Sequence, residues 1–473
     1  MSERGSRMTI PGAILVGSMF ALYLALYWPS LLYRLDLVGA VIFLQLVLIA
    51  LWRFKALYFP LMISAFLWAG LSLPLAAQWS TVRWVVLAIG AIVGLAIYVR
   101  EQHHHFGVLH LTAFLAVVAA TVSAVVSSHP EVARLKAGSL FLLFLYTSTG
   151  GRLAIISREQ RFFSGLLLGC EFIVYISGIL YLLFHFALFG NPNSLGAVMG
   201  VAVIPLLLWG VLVSQDPFDR RRRIFALVLA IVLLASTYSR ASIVGSTIAC
   251  ALLCVSLRRY RLLLGGIVTA CLCALIVWSV APPPDAGHDS IKSAFLYKGH
   301  EEGGALGSRR SVWDQTVISI QQHPWFGTGF GTSATNYDSP TVGKFASNSV
   351  TTREHGNSYL AISEWVGLFG VIPFAFLLWL VVFNVSRVVA WMWKNGDPFV
   401  AAVPIAIVLT AGLVHAAFED WLFAVGYYLS VFFWILAFTL VDVMHALNTA
   451  PAISIVSAQS DSRRALCVAA PNR

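Results

Sequence analysis

Apolar runs dominate the chain. About fourteen of them reach the roughly 20 residues that a helix needs to cross a bilayer. They centre near residues 18, 45, 66, 91, 116, 148, 173, 204, 231, 249, 271, 370, 407 and 432. The sixth, LKAGSLFLLFLYTSTGGRLAI, is broken by Gly150-Gly151 and carries Arg152. A tilted or interfacial helix is the alternative to a span there. Polar residues collect in one long stretch, 282–357, and in a tail, 444–473. The pattern predicts an all-α polytopic membrane protein of about 14 transmembrane helices, with one long extracytoplasmic loop carrying short helices. It divides into N-terminal membrane helices over 1–189, a core over 190–443 that includes the loop 282–357, and a polar cytoplasmic tail over 444–473.

Composition agrees. The chain is 59% hydrophobic and 11% charged, where soluble domains carry about a quarter charged residues. The formal charge of +10 therefore reads as basic residues retained on the cytoplasmic side, and no nucleic-acid partner is expected. Cys170, Cys250, Cys254, Cys271 and Cys273 sit in apolar runs and Cys467 in the tail, with neither disulfide nor zinc spacing. The start, MSERGSRMTIPG, reads as leading into a first span, because no small-residue cleavage site follows its apolar run.

Short basic loops set the orientation. Arg220-Arg221-Arg222-Arg223 and Arg258-Arg259-Tyr260-Arg261 flank one tight pair of spans, so both belong inside. The basic clusters at Arg4, Arg53, Arg100, Arg158 and Arg387 then also fall inside, provided that every segment crosses. Both termini are expected in the cytoplasm. The long loop lies outside. Its Lys292, Lys298, Arg309, Arg310, Lys344 and Arg353 nearly balance Asp285, Asp289, Glu301, Glu302, Asp314, Asp338 and Glu354. A loop so long is functional or disordered.

Five outer stretches carry polar chemistry. In GSRRSVWDQTVISIQQHPW, Ser308 is a fair helix N-cap. Trp313, Val317 and Ile320 form an apolar stripe. Arg309 and Arg310 then occupy the first turn, where they oppose the helix dipole. They are either solvated charges or part of an anion site, since free N–H groups and a guanidinium suit a phosphate. Arg240, in STYSRAS, lies at a tight outer turn among Ser236, Thr237, Ser239 and Ser242. It either snorkels to water or marks a functional site. His355, in TTREHGNSYL, sits just before the next span and has the side chain suited to moving a proton near neutrality. Glu364 lies about two and a half turns further in, and a carboxylate there needs a partner, such as an arginine. Asn191-Pro192-Asn193 opens the eighth segment. Glu419 and Asp420, in HAAFEDWLF, read as salt-bridge partners. No GxxxxGK[ST], GxGxxG or HExxH is present.

Together these stretches resemble the O-antigen ligase and polymerase superfamily. STYSRASIVG is similar to its serine-arginine turn. GSRRSVWDQTVISIQQHPWFGTGFG is similar to its central-loop signature, HGNSYLAISEWVGLFGVIPF to its His-Asn-x-Tyr-Leu…Glu-x-Gly-x-x-Gly element, and GNPNSLGAVM to its Asn-Pro-Asn element. The likeness runs from residue 190 to about 440 in the family's order. One departure stands out: the family places His directly before Asn, and here Gly356 intervenes. Either the loop bulges by one residue and His355 serves, or the base is altered.

The resemblance implies a glycosyltransferase of the bacterial inner membrane, its active site facing the periplasm or exterior. It would move a glycan from a polyprenyl-diphosphate donor to a hydroxyl on a glycan or lipid acceptor, with membrane lipids around it. Ligase and polymerase both remain open; a lipid-linked glycan transporter or flippase without bond chemistry is the alternative. His355, Arg309 and Arg240 would be catalytic. Arg240, Arg309, Arg310 and Asn193 would bind diphosphate or substrate, with Glu364 and Tyr238 in support. The resemblance implies a metal-independent reaction, with no metal site and no cofactor.

Overall fold

The computed structural model describes residues 35–72, 76–100, 106–268, 307–333 and 354–449. Every regular element among them is helical. In chain order these are α1 (Leu35–Arg53), α2 (Tyr58–Gly70), α3 (Ala76–Arg100), α4 (Val108–Val125), α5 (Pro130–Ser148), α6 (Glu159–Leu183), α7 (Pro192–Val213), α8 (Pro217–Ser236), α9 (Arg240–Ser256), α10 (Gly307–Gln322), α11 (Ser358–Asn395), α12 (Ala402–Ala416) and α13 (Tyr428–Thr449).

Among the described residues, six helices are long and apolar enough to cross a membrane: α3, α4, α6, α7, α11 and α13. The limbs α1 and α2 meet at 119° and make a seventh if counted as one broken span. The chain is thus a multi-pass membrane protein. The count of about fourteen is not reached among these helices. The segments near 45 and 66 are the two limbs of the bent pair, α9 and α12 are apolar but shorter, and α8 carries four arginines in its first turns. The segments near 18 and 271, most of the loop 282–357, His103 to His105 and the tail beyond 449 lie outside the described residues.

The sixth segment is displaced from its expected centre. Its helix, α5, runs Pro130–Ser148 and stops where Gly150-Gly151 begins a short separate turn. A β-carbon at Gly150 would stand 2.6 Å from the Tyr58 ring, so the break lets α2 pack closely. Arg152 is fully buried within the bundle. Its Nε donates to Asp442 Oδ2 at 2.6 Å, and Nη1 donates to Tyr98 Oη at 3.1 Å and to the Ser148 carbonyl at 3.0 Å. A charge at that depth persists only when paired in this way.

The feature that positions the site is a break in α11. Gly367 has φ +63°, inside a helix that otherwise runs 38 residues. The break frees carbonyls, and the loop 323–333 takes them up. Thr328 N donates to the Glu364 carbonyl at 2.9 Å and Gly329 N to that of Trp365 at 3.1 Å. In return Leu368 N donates to the Pro324 carbonyl at 2.8 Å. The His-Pro-Trp-Phe-Gly-Thr-Gly stretch is therefore a plug that completes the hydrogen bonding of a broken helix. A β-carbon on Gly367 would lie 2.5 Å from Trp325 and Gly327 backbone atoms. From the other side, Ser127 Oγ donates to the Thr328 carbonyl at 2.8 Å, tying the end of α4 to the plug.

Candidate active site

The first turn of α10 carries Arg309 and Arg310, as the sequence predicts, and the cost of placing cations there is offset by acids. Arg309 Nη1 lies 3.2 Å from Glu354 Oε1, and Nη2 contacts Glu419 Oε1. The guanidinium rests against the backbone of Gly356: a β-carbon there would stand 2.6 Å from Nη1. Trp313 Nε1 donates to the Gly356 carbonyl at 3.2 Å, fixing α10 to this turn. Arg310 is exposed. The apolar stripe needs correction. Trp313 and Ile320 are half-buried but Val317 is exposed, and the most buried positions are Thr316 and Ser319. Short polar side chains let α10 approach its neighbours more closely than a Val-Ile ridge would.

Gly356 has φ +61°, in the left-handed region that favours glycine. The residue that interrupts the family's His-Asn pair is thus a turn. After it Asn357 caps α11, its Oδ1 accepting from Tyr359 N at 2.8 Å and Leu360 N at 3.1 Å. Before it, the His355 side chain is 1% exposed.

His355 stands between two carboxylates. Nε2 is 3.1 Å from Glu364 Oε2, an ion-pair contact whose alignment falls short of a straight hydrogen bond. Nδ1 is 3.3 Å from Asp420 Oδ2, which also accepts the His355 backbone N–H at 2.8 Å. The Trp365 ring meets the imidazole edge-on at 5.3 Å. Burial by itself lowers the affinity of the ring for a proton, but the hydrogen bonds and charges of Asp420 and Glu364 outweigh it and raise the His355 pKa above its ordinary value. Asp420 is the mirror case: burial raises it, while the His355 bonds and charge hold it below the ordinary carboxylate value.

Arg240 opens α9 and lies near enough to Arg309 for their charges to interact. The turn before it is packed tightly on α7: a β-carbon at Gly196 would stand 2.5 Å from that of Ser239. Inside the turn, Ser239 Oγ and Ser242 Oγ are 2.7 Å apart. Ser242 Oγ is 3.1 Å from His415 Nε2, and Trp421 Nε1 donates to His415 Nδ1 at 2.7 Å. Ser239, Ser242 and His415 are all buried.

The structure therefore gathers Arg240, Arg309, His355 and Glu364 at one end of the bundle. Glu364 faces His355, where the sequence pointed to an arginine. Asn193 is exposed, and the cap of α7 is Asn191, whose Oδ1 accepts from Ser194 N at 2.7 Å. Tyr238 is exposed and has φ +52°. Glu419 and Asp420 hold more central places than the sequence assigned them, pairing with Arg309 and His355. Their signal was two adjacent acids in an apolar turn. Two cavities of about 680 and 800 Å3 lie elsewhere, and neither is lined by these residues.

No curated protein matches the chain. A family model described as O-antigen ligase matches residues 225–375, a range that takes in Arg240, Arg309, His355 and Glu364 but stops short of Glu419 and Asp420. Over that range, about a third of the chain, the sequence is similar to O-antigen ligases, and this supports the O-antigen ligase superfamily.

Proposed function

We propose that this protein transfers a glycan from a polyprenyl-diphosphate donor to an acceptor hydroxyl at the outer face of the bacterial inner membrane, both termini lying in the cytoplasm. The observation that carries the reading is the meeting of Arg240 and Arg309, two cations distant in sequence, beside the turn that holds His355. Two guanidiniums brought to one place suit a dense anion such as a diphosphate.

The acceptor oxygen attacks the anomeric carbon as the bond from that carbon to the diphosphate oxygen breaks. The electron pair leaves on the diphosphate, where Arg240 and Arg309 offset the growing charge. Arg310, the exposed neighbour, and Asn193 and Tyr238 at the adjoining turns are proposed to touch the donor. The acceptor's proton goes to His355. Both ring nitrogens face carboxylates, Nε2 toward buried Glu364 and Nδ1 toward the more open Asp420, and these two acids stabilise the ring once it has taken the proton. Carboxylates that orient an imidazole and stabilise its charged form do here what the aspartate does in a catalytic triad. The steps use side chains alone, and the reaction is proposed to need neither metal nor cofactor.

Glycans from cells lacking the protein test the class of reaction. Long chains left on the lipid carrier mean a ligase, and single units reaching the acceptor without long chains mean a polymerase. Unchanged glycosylation once the donor is supplied at the outer face would mean a transporter, and would overturn the reading.

A further inference from the structure

Resting on that reading, we infer that Ser239 is a further donor-binding residue, its hydroxyl aimed at the leaving diphosphate by a buried relay that starts at Trp421. Donor and acceptor chemistry fixes the first two steps of the relay. An indole N–H only donates, so His415 Nδ1 accepts from Trp421 Nε1. The imidazole is then neutral, with its proton on Nε2, and Nε2–H donates to Ser242 Oγ. Either hydroxyl can donate across the 2.7 Å contact between Ser242 Oγ and Ser239 Oγ; the relay runs outward when fully buried Ser242 donates and leaves the remaining proton on the less buried Ser239. In that direction Ser239 keeps an O–H with no acceptor among the described residues, although the residue is 3% exposed. Buried hydroxyl protons rarely go unmatched.

The surroundings specify the missing acceptor. Ser239 is the N-cap residue of α9, yet its side chain caps none of the helix N–H groups. Arg240 follows directly, with Arg309 within reach of its charge. A hydroxyl proton, a helix start and two guanidiniums call for a multiply charged oxyanion, and the diphosphate of the donor has that chemistry. His415 touches no substrate in this arrangement. It is a positioning residue that sets which way two serine protons point.

Farnesyl diphosphate, with farnesol as the uncharged control, probes the site in the purified full-length protein through ligand-induced shifts in thermal denaturation. Ser239→Ala is expected to weaken farnesyl diphosphate binding about tenfold and to leave farnesol unaffected. His415→Gln keeps a donor near Nε2 and is expected to bind within about twofold of the parent. His415→Asn keeps only the acceptor for Trp421 and is expected to match Ser239→Ala. The double variant Ser239→Ala/His415→Asn is expected to bind no more weakly than Ser239→Ala alone, because one relay is being cut twice. Should His415→Asn fail to fold, Ser242→Ala takes its place in the same comparison. Parent-like binding by Ser239→Ala, or losses that add in the double variant, overturns the inference. Arg240→Ala and Arg309→Ala separate the two layers. If they abolish binding while Ser239→Ala does not weaken it, the relay alone falls; if they leave binding intact, the diphosphate site itself falls, and the relay with it.

Discussion

The guanidinium of Arg309 lies flat enough against Gly356 that a β-carbon at residue 356 would sit 2.6 Å from Nη1 and 3.1 Å from Cδ. The arginine proposed to hold the leaving group and the turn that follows the proposed base are therefore one packed unit. Gly356→Ala strains a left-handed backbone by about 1–2 kcal/mol and pushes Arg309 away. We expect the variant to accumulate in membranes at near-parent levels and to transfer glycan at least tenfold more slowly.

The two acids on Arg309 are expected to act in opposite senses. Glu354 is 70% exposed, so its pair with Arg309 is weak, and it competes with an incoming anion. Glu354→Gln should lower the donor KM by a few-fold at most and leave kcat unchanged. Glu419 is more enclosed, and its backbone carbonyl accepts from Ser358 Oγ at 2.6 Å. Glu419→Gln should loosen the guanidinium and lower kcat/KM. Steady-state kinetics on the two variants side by side gives the comparison.

The His355 and Asp420 shifts fix a pH dependence. His355 is raised above about 6.5. Its contribution to stability is whole below that value and is lost as pH rises through the folded pKa. Asp420 is lowered from about 3.8, so its contribution is present above that value and is lost as pH falls through the folded pKa. Between these limits the pair is charged. Transfer needs the neutral ring, so the acid limb of the rate profile should lie above pH 6.5. Removing a carboxylate lowers the histidine pKa, and Asp420→Asn should move that limb to lower pH. A limb that stays in place would rule out His355 as the titrating base.

Gly367→Ala tests the plug. The substitution combines φ +63° with backbone atoms at 2.5 Å, and neither can be relieved by a side-chain rotation. A loss above about 2 kcal/mol is expected, read as a lower midpoint of thermal denaturation in detergent. Ser127→Ala, which removes one hydrogen bond to the Thr328 carbonyl, should cost about 1 kcal/mol.

Much of this was legible in the chain. Apolar runs announced the helices, because lipid forces every backbone group to pair within its own segment. Arg309 stood out by opposing a helix dipole, and Arg240 by standing in a tight serine-rich turn with no acid near it in sequence. The break in α11 was visible only as Glu364-x-x-Gly367-x-x-Gly370, a spacing without a cause until the 323–333 loop is seen filling it. Glu419 and Asp420 were legible as salt-bridge partners, but what they pair with was not, because those partners are 110 and 65 residues away and sequence order gives no distance between chain segments. The displaced sixth segment has the same origin: hydropathy counts Gly150 and Gly151 as neutral, whereas the packing of Tyr58 makes them a stop.

The most direct test of the central claim is the rate of polyprenyl diphosphate release, measured together with glycan transfer, in membranes carrying Arg309→Ala or Arg240→Ala. Each substitution is expected to slow both processes in step, by about a hundredfold or more, while the protein remains folded and inserted. Parent rates in either variant would contradict the account, because no diphosphate would then be leaving against these two arginines.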